Sequence, residues 1–495
     1  MLINILVLYT SSILLIFIIL LRILRGVAYF QQKGYRWDRL KNFLWYENGL
    51  IEIVGYEWFL ELYLLLLFLI TWRFAITVHF YFFILITIVS SFHILRVGIR
   101  RPQMTKKVLY MISILILLNA LILKTIGLLF FISFLLIFQW PLIMLIFLSL
   151  IPVNNMIRRK YLTAAAKKRT ILKKVKIIGI TGSYGKTTTK EFVAHILSTK
   201  YKTISTPKNI NSDIGIANFF LKNVTDEYDF FVVEMGAYRQ GEIRGVCEML
   251  KPDIGILTGI NSQHIGLFGS QEIITAAKFE LFDSLSAGSL ALANIDSPAV
   301  AKILKKKHLP LELIQYSLAG TSETVFANLL PALILGQHFG MTHEELFSCV
   351  STLPMPLSCT RKWKTASGAL VLENSFSSNV DGFLSALSLL ERQQVKTKII
   401  ITPGIMELGR YMETEHDPIF KKLDEVGNKV VVTKNFLTRC VRRFPFQNLK
   451  PNDILISENK NTITKWLKPF LKNETAILIE GRVREDIIAG MDITL

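Results

Sequence analysis

No charged residue occurs between Met1 and Leu21, and an apolar run of that length, wound as a helix, crosses about 30 Å of hydrocarbon. That feature directs the reading of the first third of the chain toward a membrane. The basic residues Arg22 and Arg25 follow the run instead of preceding it, the reverse of a cleaved signal peptide. Further apolar stretches at about Trp58–Trp72, Phe74–Leu95, Val108–Leu123 and Thr125–Ile157 bring the expected spans to five. The second is short and holds Glu61, so a re-entrant or interfacial helix is an alternative for it. Lys and Arg number six in Arg22–Lys41, five in Arg96–Lys107 and nine in Arg158–Lys176, against one each at Arg73 and Lys124. Short basic loops stay on the cytoplasmic side. The expected topology therefore has its N-terminus outside and everything after residue 157 in the cytoplasm, at the plasma membrane.

The net charge of +19 fits juxtamembrane Lys and Arg facing anionic lipid. No groove-reading motif accompanies it, so nucleic acid is not an expected partner. The segment Gln31–Tyr56 mixes aromatic and basic residues as interfacial helices do; a sharper alternative has Lys33, Arg36, Arg39 and Lys41 holding a lipid-linked phosphate. Cys247, Cys349, Cys359 and Cys440 form no C-x-x-C pair, which argues against a zinc ribbon or a disulfide framework.

Beyond the basic segment 158–174, read as a cytoplasmic linker, an apolar β-branched run (Val175–Ile180) leads into TGSYGKTTT and then into helical spacing from Lys190 to Leu197. Strand, glycine loop and helix in this order turn backbone N–H groups toward an anion at a helix N-terminus. Thr181, Gly182, Ser183, Tyr184, Gly185, Lys186, Thr187 and Thr188 form the candidate nucleotide loop. Lys186 is placed to meet the β and γ phosphates of ATP, and the Thr187 hydroxyl to reach Mg²⁺. The longer pattern G-x-x-x-x-G-K-[ST] is not met, because its first Gly would fall at Ile180.

The shorter T-G-x-x-G-K-T-T form resembles the Mur ligase family, and later segments extend the likeness. TPKNINSDIG (Thr206–Gly215), FFVVEMG (Phe230–Gly236), NSQHIGLFGS (Asn261–Ser270) and AAKFELF (Ala276–Phe282) resemble that family's segments in the same order. PGIMELG (Pro403–Gly409) with His416 resembles the branch that adds D-alanyl-D-alanine to UDP-N-acetylmuramoyl-tripeptide. The resemblance implies ATP and two Mg²⁺ ions as cofactors, with Glu234 and His264 as metal ligands. It also implies a CO₂-derived carbamate on Lys278, so that Lys186, His264 and Lys278 form the catalytic set. Read without the family, His264 suits a structural or surface histidine and Lys278 a solvated helix residue. Asn294 stands at the strand-end asparagine that the family places against adenine, Asn328 at the asparagine of the nucleotide-binding helix that closes its central domain, Arg361 at its phosphate-reaching arginine, and Asn374 at the acidic position opening D-S-Y-N-A-N-P.

From Pro354 onward strands and helices alternate, as in a second doubly wound unit. The expected fold is an α-helical membrane domain (1–157) with two α/β domains, a P-loop central domain (175–353) and a Rossmann-like C-terminal domain (354–495). Three departures from the family stand out: Asn374 replaces Asp, Glu480-Gly481-Arg482 replaces Lys-Gly-Ser, and only about thirty residues separate Asp296 from Phe326. The family's UDP-binding N-terminal domain is replaced by membrane segments. The implied function is ATP-dependent amide-bond formation on a cell-envelope precursor, lipid-linked or UDP-linked, with an amino acid or dipeptide as second substrate. Cell-envelope biosynthesis proteins are the implied partners. Alternatives are a carboxylate-activating subunit for an amidotransferase and a non-catalytic nucleotide-binding scaffold.

Overall fold

The computed structural model describes residues 17, 19–34, 36–47, 102–126, 128–207, 210–318, 324–353, 360–375 and 378–491. The chain divides into two compact units, Met1–Ile157 and Arg158–Leu495.

In the first unit, helices cover 19–32, Trp37–Tyr46 and Lys106–Ile126, and a fourth begins at Leu128 and ends at Ile171. Their apolar faces meet in a cluster that includes Ile23, Val27, Met111, Leu115 and Ile143, with the Phe30 and Phe147 rings stacked at 4.6 Å. Among the described residues one stretch, Trp140–Ile171, is long and apolar enough to cross a membrane, and Lys107–Asn119 is a shorter apolar helix. The 44-residue helix is about 66 Å long at 1.5 Å per residue, twice the thickness of hydrocarbon. Only its apolar portion before Arg158 suits such a medium. The spans expected at Trp58–Trp72 and Phe74–Leu95 lie outside the described residues, as do residues 1–16.

Two basic readings change. Arg22 and Arg25, read as lipid-facing, are buried, because helix packing brings both inside the cluster. In the segment read as an interfacial helix or a phosphate site, Lys33 pairs with Glu47 at 3.2 Å and sits over the Phe43 ring, and Arg36 pairs with Asp38 at 2.5 Å. These nearby carboxylates already neutralise both cations.

The second unit holds two six-stranded sheets. The first has the order β2-β3-β1-β4-β5-β6 and is parallel throughout. Its strands are β1 (Lys176–Thr181), β2 (Thr203–Ser205), β3 (Phe230–Glu234), β4 (Ile254–Leu257), β5 (Leu290–Asn294) and β6 (Glu312–Tyr316). The core strands β1, β3 and β4 are near-continuous apolar runs, as strands covered on both faces must be. The order reverses beside β1, so the glycine loop leaves the sheet where a crevice opens between diverging connections. The short stretch after Asp296 still supplies β6 and completes the sheet.

The second sheet has the order β11-β10-β9-β12-β8-β7. Here β7 (Arg361–Lys364) is an antiparallel edge on β8 (Leu370–Asn374), and β9 (Thr397–Thr402), β10 (Lys429–Val432), β11 (Ile454–Ile456) and β12 (Thr475–Glu480) are parallel. One continuous buried cluster includes residues of both sheets' layers, from Phe231 and Leu281 to Leu408 and Leu423.

The segment 158–174 is not the free linker expected of it. Helix continues through it to Ile171, and several of its cations bind the α/β unit. Arg158 pairs with Asp213, Lys168 Nζ donates to Phe220 O and Leu221 O, and Arg169 donates to Leu250 O and Asp253. Ala165 and Leu172 join the buried core. Amphipathic spacing within a basic run thus outweighed its charge.

Candidate active site

The loop between β1 and the helix Lys186–Ser198 is held from below and from the sides. Ser183 N donates to Gly259 O at 2.6 Å, and Thr258 Oγ1 donates to Tyr184 O at 2.5 Å. Gly185 has φ 76°, a left-handed conformation that a Cβ penalises. A Cβ there would also run into the Asn328 side chain. That asparagine comes from the helix Thr324–His338, which packs against Lys186–Ser198. The N-terminus of Lys186–Ser198 therefore opens on a loop whose shape is fixed by two neighbouring connections, the arrangement that suits an anion.

Lys186 Nζ donates to Ser183 O at 2.9 Å, folding the ammonium back over the loop. Burial pushes its pKa down, and the Glu234 charge opposes that shift. Thr187 Oγ1 donates to Glu234 Oε2 at 2.8 Å, Asn211 Nδ2 donates to Glu234 Oε1 at 2.9 Å, and Lys190 lies 3.7 Å from the same carboxylate. Glu234 ends β3 beside the loop, buried, with a hydroxyl and a carboxylate already in contact. Mg²⁺ takes few protein ligands and completes its shell with phosphate and water, so Thr187 and Glu234 fit such an ion. Among the described residues no three His, Cys, Asp or Glu side chains converge, so a cation here would rely on the nucleotide for the rest of its ligands.

His264 and Lys278 join the same electrostatic field. Lys278, on the helix Gln271–Asp283, is buried, and its Nζ donates to Ala237 O at 3.2 Å. Burial first, and the Lys186 charge second, push its pKa down to about 7. The sequence alone suited a solvated lysine; Ala237, in the connection after β3, and the Phe268 ring cover it instead. His264 has φ 63° and lies 2.6 Å from Glu407 Oε2 through Nδ1. Its pKa is lowered by burial, against the raising effect of Glu407, with Lys278 and Lys186 lowering it further.

The remaining candidates divide. Asn328 reaches the loop, and Thr189 Oγ1 donates to its Oδ1 at 3.5 Å. Tyr184 lies over Gly259, and its hydroxyl is pushed up to about 12 by burial and by Asp381. Thr181 donates to Met235 O at 2.8 Å, below the loop. Asn294 is buried, and its Oδ1 accepts from Asp296 N at 3.0 Å, capping its own turn. Arg361, on the edge strand β7, is engaged by Glu373 at 2.8 Å. Asn374 donates to Glu480 at 2.7 Å. These contacts place Arg361 and Asn374 within the C-terminal lobe's own network, not on the loop.

Asn211, Lys190 and Glu407 make site contacts that the sequence does not mark. The first and third stood inside motifs already noted, whereas Lys190 carries no local signal beyond its place one turn after Lys186. The lobes meet here as well: Asn261 Nδ2 donates to Asn379 at 2.9 Å and Asp381 at 2.8 Å, Ser262 donates to Glu415, and the Tyr411 hydroxyl donates to Gly269 O at 2.8 Å.

Comparison with known proteins bears on the fold and on the lobe that holds the loop. Residues 180–348 match the sequence profile of the Mur ligase middle domain. A UDP-N-acetylmuramoyl-tripeptide–D-alanyl-D-alanine ligase from Synechocystis is 28% identical over 275 residues, covering 51% of this chain and 60% of that protein. The Buchnera aphidicola protein of the same name is 26% identical, covering 68% of this chain and 81% of its own length. The Escherichia coli one is 26% identical, covering 49% and 60%. The chain thus spans about 60% of the length of the Synechocystis and Escherichia coli relatives. In fold it is similar to MurF from Acinetobacter baumannii (TM-score 0.60, 20% identity, 68% of this chain and 80% of that one). It is similar also to MurF ligase from Thermotoga maritima in complex with ADP (TM-score 0.59, 20% identity, 68% and 83%). The lobe that carries the glycine loop, Glu234, His264 and Lys278 is thus similar in sequence to the Mur ligase middle domain.

Proposed function

We propose that this chain is an ATP-dependent, ADP-forming amide ligase that adds an amino acid or dipeptide to a carboxylate of a cell-envelope precursor. The observation that carries the reading is the convergence of Lys186, Thr187 and Glu234 at the N-terminus of one helix, with partly exposed His264 and buried Lys278 in the same electrostatic field. ATP is a substrate in this reading: its γ-phosphoryl group passes to the acceptor carboxylate, and an amine then displaces phosphate to leave an amide. Two divalent cations, when bound, would neutralise the charge that phosphate and carboxylate bring together.

The chain's own residues do the rest. Backbone N–H groups of 184–187 and the Lys186 ammonium orient the phosphates. Glu234 and Thr187 offer oxygen atoms to one cation, and His264 offers a ring nitrogen to the other. Lys278 with its depressed pKa is a neutral amine at pH 8, the form that attacks CO₂: R–NH₂ + CO₂ gives R–NH–COO⁻ and H⁺. The resulting carbamate would supply an anionic oxygen where an ammonium would repel a metal. Contacts from 261–269 to 379–415 seat the C-terminal lobe over the loop and exclude water.

The acceptor, in this proposal, is presented from the bilayer by a multi-pass domain at 1–157 in the plasma membrane, with the ligase lobes in the cytoplasm. The apolar helices Lys106–Ile126 and Trp140–Ile171 support it. A lipid-linked glycopeptide then meets the lobes at raised effective concentration.

The test is phosphate release by the detergent-solubilised full-length protein with ATP and Mg²⁺. It compares a UDP-linked peptide, its polyprenyl-linked counterpart and no acceptor, each with an amino-acid and dipeptide pool and product masses from the same tubes. Lys186→Ala should lower release to background while membrane insertion is kept; full activity in that variant would reject the loop assignment. Glutamine-dependent release needing a second subunit would favour a carboxylate-activating subunit, and nucleotide binding without release a scaffold.

A further inference from the structure

Glu407 and His264 face one another between the central and C-terminal lobes, and both hold left-handed backbone, at φ 64° and 63°. Non-glycine residues keep such backbone only where their surroundings over-determine it. On the C-terminal side, His416 fixes the loop that carries Glu407. Its Nε2 accepts from Ile405 N at 3.1 Å, and its Nδ1 donates to Met412 O at 2.7 Å. On the central side, Gly266 N donates to Glu407 O at 3.0 Å. A Cβ on Gly266 would come within 2.7 Å of that same oxygen, so residue 266 must be glycine for the loop to seat. The result is a buried carboxylate 2.6 Å from His264 Nδ1, close enough to accept its proton once the ring turns to bring the N–H into line, with the Tyr238 ring 4.9 Å from the imidazole.

Which nitrogen of a neutral imidazole carries the proton is set by the hydrogen bond the other one leaves open. Metal-binding histidines usually donate their second N–H to a carboxylate or carbonyl, which orients the ring and raises its basicity. We propose that Glu407 is a positioning residue: it accepts the Nδ1–H of His264, leaves Nε2 as the lone pair for a divalent cation, and does so only when the C-terminal lobe is seated. This rests on the ligase reading above, in which His264 is a metal ligand. It gives the E-L-G segment a task distinct from binding substrate, since the cation site is completed by closure of the lobes.

The experiment uses full-length protein in detergent with ADP and reads Mn²⁺ binding by electron paramagnetic resonance, with spin-echo modulation from imidazole nitrogen as the signature of His264. Glu407→Ala and Gly266→Ala are expected to weaken Mn²⁺ about 10-fold and to lose the nitrogen modulation. Glu407→Gln, whose amide oxygen still accepts from Nδ1, should keep both. Wild-type affinity and modulation in Glu407→Ala, alongside their loss in His264→Ala, would overturn the inference and leave the ligase reading standing. Glu407→Gln failing as fully as Glu407→Ala would also overturn it, by assigning the effect to charge and not to the tautomer. A wild type without nucleotide-dependent Mn²⁺ binding, or a His264→Ala variant that matches it, would remove the metal assignment itself and this inference with it.

Discussion

Glu480 sits in an environment far from that of a carboxyl in water. It ends β12 with no exposed surface, and its carboxyl accepts from Asn374 Nδ2 at 2.7 Å and Ser378 Oγ at 3.0 Å. Burial outweighs both donors and pushes its pKa up to about 8. A carboxyl raised from about 4.5 to about 8 binds more protons in the folded state across that window. Stability is therefore full below about pH 4.5 and falls as pH rises toward 8. Glu480→Gln removes the titration, and the Ser378 hydroxyl is able to rotate and accept. Its melting temperature should match the wild type near pH 4.5 and exceed it at pH 8, the ceiling being about 1.4 kcal/mol per pKa unit; equal melting at pH 8 would contradict a raised pKa. Here the departures noticed in the sequence explain one another: Asn374 lacks the charge of an Asp because its partner in the fold is an acid. Lys278 is the opposite case, a cation whose proton is weakly held at about pH 7. With ¹³C-bicarbonate, a carbamate resonance should grow between pH 7 and 8.5, and Lys278→Arg should lack it. A signal unchanged by that substitution would place the carbamate elsewhere.

At the level of elements, the helix Lys186–Ser198 depends on a single conformational exception. Gly185 precedes it in left-handed backbone and faces Asn328 on the helix Thr324–His338. An L-residue pays about 1–2 kcal/mol in that region, before any clash with Asn328. Gly185→Ala should weaken binding of a fluorescent ADP analogue at least 10-fold while far-ultraviolet circular dichroism stays unchanged, whereas wild-type affinity would show that the loop needs no glycine there. This element was legible before folding, since an apolar strand, two glycines and a helical spacing are local signals. The strands β7 and β11 were not. β7 reads RKWK and β11 is three residues long, so neither shows a buried run. They exist because β8 and β10 offer open edges with unpaired backbone groups.

For the whole molecule, the two compact units Met1–Ile157 and Arg158–Leu495 predict a separable division of labour. Residues 158–495 expressed alone should stay folded and bind Mn²⁺ and ADP as the full-length protein does. They should lose phosphate release stimulated by the polyprenyl-linked acceptor. Retention of that stimulation would mean that the first unit does not present the acceptor. The boundary after residue 157 is also where apolar content falls and basic residues begin, so it was visible in composition.

The sequence by itself determined what depends on neighbours along the chain: the apolar helices, the strand-loop-helix anion site, the alternation that builds two mainly parallel sheets, and a motif order similar to that of the Mur ligases. Only the tertiary structure decided which polar groups meet. Lys278 becomes a buried amine with a lowered pKa, the basic segment 158–171 becomes a packed helix, and Arg361 and Asn374 turn to acids of their own lobe. Glu407 reaches His264 from 143 residues away in the chain. The physical reason is range. Helix and strand periodicity act over a few residues, whereas burial and charge pairing depend on which surfaces the fold brings within a few ångströms.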